Sequence, residues 1–180
     1  MKARAYLRDV TREAHERVDS KLSGFRLSDA EEYADFLAVQ AAAFIPVEAA
    51  LDRAGAGRLL PDWDQRRRSE ALLADLAALG RAGPATNGSP VYDDDAAVWG
   101  GLYVIEGSRL GGAVLRKSVP ANFPQSFLAP QSSRNSGWPT FVAALETNLY
   151  QHVALQRAGS SAIATFACFE HSFGKGVTSR

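Results

Sequence analysis

The segment from Trp99 to Leu115, WGGLYVIEGSRLGGAVL, is the strongest constraint on what this chain can fold into. Its apolar residues recur at helical spacing, yet it holds five glycines: Gly100, Gly101, Gly107, Gly111 and Gly112. Each glycine inside a helix costs about 1 kcal/mol relative to alanine. Propensity does not keep such a segment helical; packing has to. At roughly 100° per residue, Gly100, Gly107 and Gly111 fall within about 40° of one another, a strip of bare backbone along one face. Two arrangements suit that strip. A second helix can cross closely over the small residues, or a large flat molecule can lie on the backbone, with the helix kinked at its glycines.

The rest of the chain reads as helix and loop. Leu7, Val10, Ala14, Val18 and Leu22 form an apolar stripe that predicts a helix over Ala3 to Leu22. Thr11, His15 and Asp19 lie along the flank of that stripe, and Arg8 is two turns before His15 on nearly the same face. His15 is thus placed at the border between core and solvent. A second helix is expected from about Asp29 to Arg53, capped by Ser28 or Asp29 and kinked or interrupted at Pro46. A third is expected over Gln65 to Leu79, with Arg66, Arg67 and Arg68 as a solvated edge. Asp93, Asp94 and Asp95 read as caps for the glycine helix. Further helices are expected over Trp138 to Gln156 and from Ser160 or Ser161 onward, with Ile163, Phe166, Phe169 and Phe173 facing inward. Strand alternation and internal repeats are missing. The expectation is a single all-α domain of six or seven helices over residues 1–173, with 174–180 a flexible tail.

Composition narrows the function. Lysine plus arginine equals aspartate plus glutamate, 20 each, which disfavours nucleic acid as a partner. No run reads as long and apolar enough to cross a membrane, and the charged N-terminal stretch lacks the apolar core of a leader. With one cysteine, Cys168, no internal disulfide is possible, and a cytoplasmic location is expected. The chain has three histidines, His15, His152 and His171, and no HExxH or CxxC spacing to suggest zinc. What remains is His15 at a cleft border and a glycine-striped helix. Together they suit a flat, apolar, metal-centred ligand such as haem, although a lone histidine on a helix flank is more often structural than a ligand.

Two motifs sharpen this. Thr11-Arg12-Glu13-Ala14-His15 resembles the T-[KR]-E-x-H signature on the first helix of the haem oxygenase family. Tyr103 to Leu115, YVIEGSRLGGAVL, resembles that family's glycine-rich distal helix in its bacterial form. The order and separation of the motifs also match, and the similarity runs from about Leu7 to Phe173.

The resemblance implies a haem oxygenase-like fold and an enzyme that cleaves haem with O2 and reducing electrons to biliverdin, iron and carbon monoxide. His15 is then the iron ligand, its second ring nitrogen oriented by a neighbouring acceptor. Gly107 and Gly111 become the distal contacts, with Ser108 and Gly112 lining the same pocket. Thr11 and Asp19 complete the proximal side, and Arg8 pairs with a haem propionate or stays solvated. Serine at 108 stands where animal members have aspartate, so their proton relay does not carry over. Arg109 faces either a propionate or solvent, and Phe166 and Phe169 pack in the core or near the haem edge. The implied partners are an electron donor (ferredoxin, flavoprotein reductase or ascorbate) and a phytochrome receiving biliverdin. A non-catalytic haem carrier or sensor on the same fold is the alternative.

Overall fold

The first helix, α1, spans Ala3–Leu22 in the computed structural model, which describes residues 2–86, 88–130 and 137–174. Nothing in its own first turn caps it. The amides of Ala3 and Arg4 instead donate to the Glu146 carboxylate, at 2.8 and 3.0 Å, from a helix far down the chain. The second helix, α2, spans Ala30–Arg53 and is capped by Asp29, whose side chain accepts from the amides of Glu31 and Glu32. Pro46 does not interrupt it. Most of its residues from Tyr33 to Leu51 are buried, and that burial outweighs the one hydrogen bond proline removes. The expectation that no run is apolar enough to cross a membrane needs correcting here. α2 reaches the length and a mean hydropathy of 1.5, but 78% of that window is packed inside the protein.

The helix predicted over Gln65 to Leu79 is in fact interrupted. Two single turns, α3 (Ala56–Leu59) and α4 (Trp63–Arg66), precede α5 (Ser69–Ala78). The break falls where Glu48 of α2 receives the amides of Arg68 and Ser69, at 2.8 and 3.0 Å, and the Ser69 hydroxyl at 2.5 Å. A carboxylate from another helix therefore fixes where α5 begins. At its other end Gly80 takes φ +73°, a left-handed turn that suits glycine. Asp75 of α5, fully buried, accepts the amides of Ser126 and Phe127 at 3.0 and 2.8 Å and so anchors the loop that carries Phe127 and Leu128.

The glycine helix, α6, spans Asp95–Leu115, with Asp94 accepting the Ala97 amide at 2.8 Å. It is followed by α7 (Trp138–Asn148) and α8 (His152–Ser172). The single helix predicted over Trp138 to Gln156 ends early because Thr147 and Asn148 turn their side chains onto the carbonyls of Ala143 and Ala144. Leu149 then leaves helical geometry to bury its side chain. Ser161 does not open the last helix but sits within it, donating to the Ala97 carbonyl of α6 at 2.8 Å. Ile163, expected inside, is exposed. No strand occurs among the described residues. The tail expected from Gly174 lies, from residue 175 on, outside them.

α8 is the hub, packed against α6, α1 and α2. Its buried Ala158, Gly159, Ser161, Ala162 and Thr165 are small enough for close approach. A Cβ on Gly100 of α6 would fall on the Ala158 carbonyl oxygen, and one on Gly159 would meet Tyr6 and Val10 of α1 at 3.2 Å. At this end of the glycine strip the close helix crossing is the correct reading. Gly100→Ala should overpack that crossing and destabilise the protein by about 1–3 kcal/mol. Calorimetry should show a melting point lower by about 2–4 °C for each kcal/mol in a chain of this size. An unchanged melting point would mean that α6 and α8 can slide apart without loss.

Candidate functional site

Beyond the α6–α8 crossing, residues of α1 and α6 line one cleft of about 540 Å³, within the range of small-molecule and cofactor sites. Phe44, Phe127, Leu128, Phe166 and Phe169 make its apolar walls. Gly107 and Gly111, the far end of the glycine strip, lie on it. A Cβ on Gly107 would touch only the Trp138 ring, at 3.7 Å, while one on Gly111 would meet nothing within 4 Å. Gly112 is buried, with Leu128 at 3.4 Å from its ideal Cβ. The close-crossing reading thus holds at one end of the strip, and the other end borders the cleft. Gly100 serves a helix crossing, whereas Gly111 faces open space and Gly107 meets only the Trp138 ring.

From α1, Arg8, Thr11, His15 and Asp19 line the same cleft. His15 is 58% exposed, its ring set edge-on to Phe166 at 5.7 Å between centroids. Its Nδ1 lies 3.2 Å from the Asp19 carboxylate. With the Nδ1 proton directed at Asp19, Nε2 keeps its lone pair for a metal. Thr11 is buried, its hydroxyl donating to the Leu7 carbonyl at 2.7 Å. Burial raises the pKa of the neighbouring Tyr103 phenol, while a Thr11 hydrogen bond and the charges of Arg4 and Arg8 pull the other way. Arg4, Arg8 and Arg12 stand one turn apart on one side of α1, all on the cleft. None is in an ion pair among the described residues, whereas Arg17, Arg58, Arg67 and Arg81 all are. Phe166 and Phe169, weighed as core or cleft residues, are buried and line the cleft at once.

Ser108 also lines the cleft, but its hydroxyl is engaged. It donates to the Ile105 carbonyl at 2.6 Å and accepts from Arg68 Nη2 at 2.5 Å. Arg68 is the residue that sequence reasoning missed. The expected solvated edge of Arg66, Arg67 and Arg68 is instead mostly interior, because their partners come from elsewhere in the fold. Arg66 is fully buried against Asp62 and Glu106, and Arg67 pairs with Asp52 at 2.6 Å. Arg109, expected to face a propionate or solvent, turns inward to Glu106 and to the Arg66 carbonyl.

Arg68 lies between the rings of Phe44 and Phe127, 4.6 and 5.0 Å from their centroids. Burial, and then the charge of Arg109, push its pKa down to about 9, with Glu48 and Glu106 opposing, so it remains a cation at neutral pH. Its Nε is buried with no hydrogen-bond partner among the described residues. A buried donor left unpartnered costs about 1–3 kcal/mol, which a ligand supplying an acceptor relieves. The only signal in the sequence was the RRR run itself. Nothing local tells a buried arginine from a solvated one.

No protein-family model matches the chain. Curated relatives do. A haem oxygenase of Xanthomonas campestris pv. campestris (strain 8004) is 38% identical over 112 residues, covering 59% of this chain and 67% of its own. The haem oxygenase PigA of Pseudomonas aeruginosa is 35% identical over 147 residues, 76% of this chain and 74% of that protein. Among solved structures, the haem oxygenase of Neisseria meningitidis with NO and CO bound superposes with a TM-score of 0.79 at 24% identity, over 99% of this chain and 96% of that one. The haem oxygenase of Leptospira interrogans gives 0.74 at 19% identity, over 96% and 98%. Both structural likenesses bear out the all-α fold expected from the sequence.

Proposed function

The chain belongs to the haem oxygenase family and is an enzyme of haem degradation; on that premise we propose that haem binds in the α1–α6 cleft, with iron on His15, and leaves as biliverdin, iron and carbon monoxide. One observation carries the placement: the His15–Asp19 pair and the side-chain-free Gly107 and Gly111 border a single apolar cleft. Bound haem supplies both the iron at which O2 is activated and the ring that is oxidised.

The protein's own residues do the rest. Asp19 holds the His15 tautomer that leaves Nε2 available, and Phe166 limits the swing of the ring. Gly107 and Gly111 let the α6 backbone come close to a flat face, leaving room beside it only for something small. Gly112 and Leu128 close that side against water. Arg68, a cation held between Phe44 and Phe127 with an unpartnered Nε–H, would donate to an acceptor carried by a ligand in the cleft. Ser108 fixes Arg68 and does not itself donate into the cleft. Thr11 braces the first helix behind His15. Arg8, with Arg4 and Arg12, pairs with the two propionates, as guanidinium does well with carboxylate. The reducing electrons come from a ferredoxin, a flavoprotein reductase or ascorbate, in the cytoplasm, and a phytochrome is a suitable recipient of the biliverdin.

Titration of the purified protein with hemin, followed by ascorbate in air, tests the proposal. The Soret band should saturate near one haem per chain and give way to biliverdin absorption. A band that forms and persists would instead identify a haem carrier or sensor. No specific band would remove haem from the cleft altogether.

A further inference from the structure

On α6 the Gly107–Gly111 face and the ion-paired Glu106 and Arg109 are on opposite sides. At 100° per residue, Glu106 points about 120° and Arg109 about 180° away from the centre of the Gly107–Gly111 face. Glu106 meets Arg66 at 2.6 Å, with both side chains only 1% exposed. Arg109 reaches Glu106 at 3.5 Å and donates to the Arg66 carbonyl. Arg68 donates to the Ile105 carbonyl at 2.9 Å and to Ser108 at 2.5 Å. Residues 66–68 thus grip α6 at Ile105, Glu106, Ser108 and Arg109, on both sides of Gly107 in sequence. The grip is itself anchored. Arg66 is held by Asp62 at 2.8 Å, Arg67 by Asp52 at 2.6 Å, and the Arg68 amide by Glu48 at 2.8 Å.

A buried ion pair is poor evidence of stability, because well-packed apolar residues of similar volume serve as well or better. What a carboxylate–guanidinium pair supplies is one allowed geometry. Burial pulls the Arg66 pKa down, but Asp62 and Glu106 more than reverse this and the net shift is upward, so the charge is kept in place. α6 needs such a device. Its glycines weaken it as a helix, and Gly111 has no packing neighbour of its own.

We infer that Arg66 and Glu106 are positioning residues of the haem reaction, fixing the rotation and height of α6 so that Gly107 and Gly111 present their backbone to the haem face. This rests on the proposed haem site. The test compares the wild type with Arg66→Met/Glu106→Leu, which leaves neither member of the pair charged and alone, and with Arg109→Gln, which removes only the outer arm. Two quantities are read: amide exchange of residues 107–112 in the haem-free protein, and the CO dissociation rate of the ferrous haem complex.

In the double variant, exchange at 107–112 should be about tenfold faster while the amides of α8 keep wild-type protection. Its CO dissociation rate should shift about tenfold, as a small displacement at a reacting centre produces. Arg109→Gln should move both in the same direction by less, and it decides the matter if the double variant does not fold, since Arg109 is 17% exposed and its loss is tolerable. Exchange and CO rates within about twofold of wild type would reduce the pair to core filling and overturn the inference. A wild type that gives no haem spectrum would overturn the haem reading and this inference together, an outcome distinct from variants that merely match the wild type.

Discussion

With His15 replaced by alanine, the protein is expected to fold as before and to lose specific haem ligation. The side chain is 58% exposed and its one aromatic contact is the edge of Phe166, so the stability change should stay within about 0.5 kcal/mol. The functional change should be far larger. Losing only the outer partner of a metal-bound histidine typically costs about 10–100-fold in affinity or activity, and losing the ligand itself should exceed that range. Hemin titration should give a weak, shifted Soret band, and turnover with ascorbate should fall below about one hundredth of wild type. Added imidazole should restore much of the band, because the vacated space opens onto the cleft. Asp19→Asn should give an intermediate loss of about tenfold, since the ring stays and only its orientation is freed. A His15→Ala protein with wild-type spectra would place the iron ligand elsewhere.

Gly111→Leu should move stability and function in opposite directions. In the haem-free protein a Cβ at 111 meets nothing within 4 Å, so a leucine has room. Removing a helical glycine gains about 0.8–1 kcal/mol of propensity. The melting point should therefore rise by about 2–4 °C. Haem, however, would find an isobutyl group where it needs bare backbone. Binding and turnover should drop by about 10²-fold or more, the effect expected when a reacting group is displaced by about 1 Å. Gly107→Ala should fall between, because its added methyl makes ordinary contact with Trp138 at 3.7 Å. Calorimetry and hemin titration on one preparation of each variant check both signs. A Gly111→Leu protein that binds and turns over haem normally would show that this face does not meet the substrate.

Much of this was legible locally. The bounds of α1, the Asp29 and Asp94 caps and the helical state of 95–115 follow from patterns within a few residues of each other. So does the gathering of Arg8, Thr11, His15 and Asp19 on one flank, whereas the presence of Gly107, Ser108, Gly111 and Gly112 on the same cleft was implied only by the family resemblance. What escaped depends on partners remote in sequence. Arg66 and Arg68 looked solvated because an arginine run usually is. Glu106 and Ser108, which bury them, come 40 residues later in each case. Glu48 starts α5 from 20 residues upstream, where no cap rule looks. Ser161 reads as a helix start by its type, yet its hydroxyl crosses to Ala97. The small residues Ala158, Gly159, Ser161, Ala162 and Thr165 let α6 and α1 come close to α8.

The arginine row on α1 separates how the substrate arrives from how long it stays. The cleft is lined by four arginines, Arg4, Arg8, Arg12 and Arg68, against two carboxylates, Glu16 and Asp19, on a chain whose formal charge is zero. The positive field is therefore local to the mouth and the distal wall, and at about 0.1 M salt it reaches only about 10 Å into solvent. With haem placed as proposed, the dianionic porphyrin would be drawn in over that last distance. Capture should then depend on ionic strength more than release does. On the proposed site, a local field of this kind favours capture of a small dianion without making the protein a general anion binder.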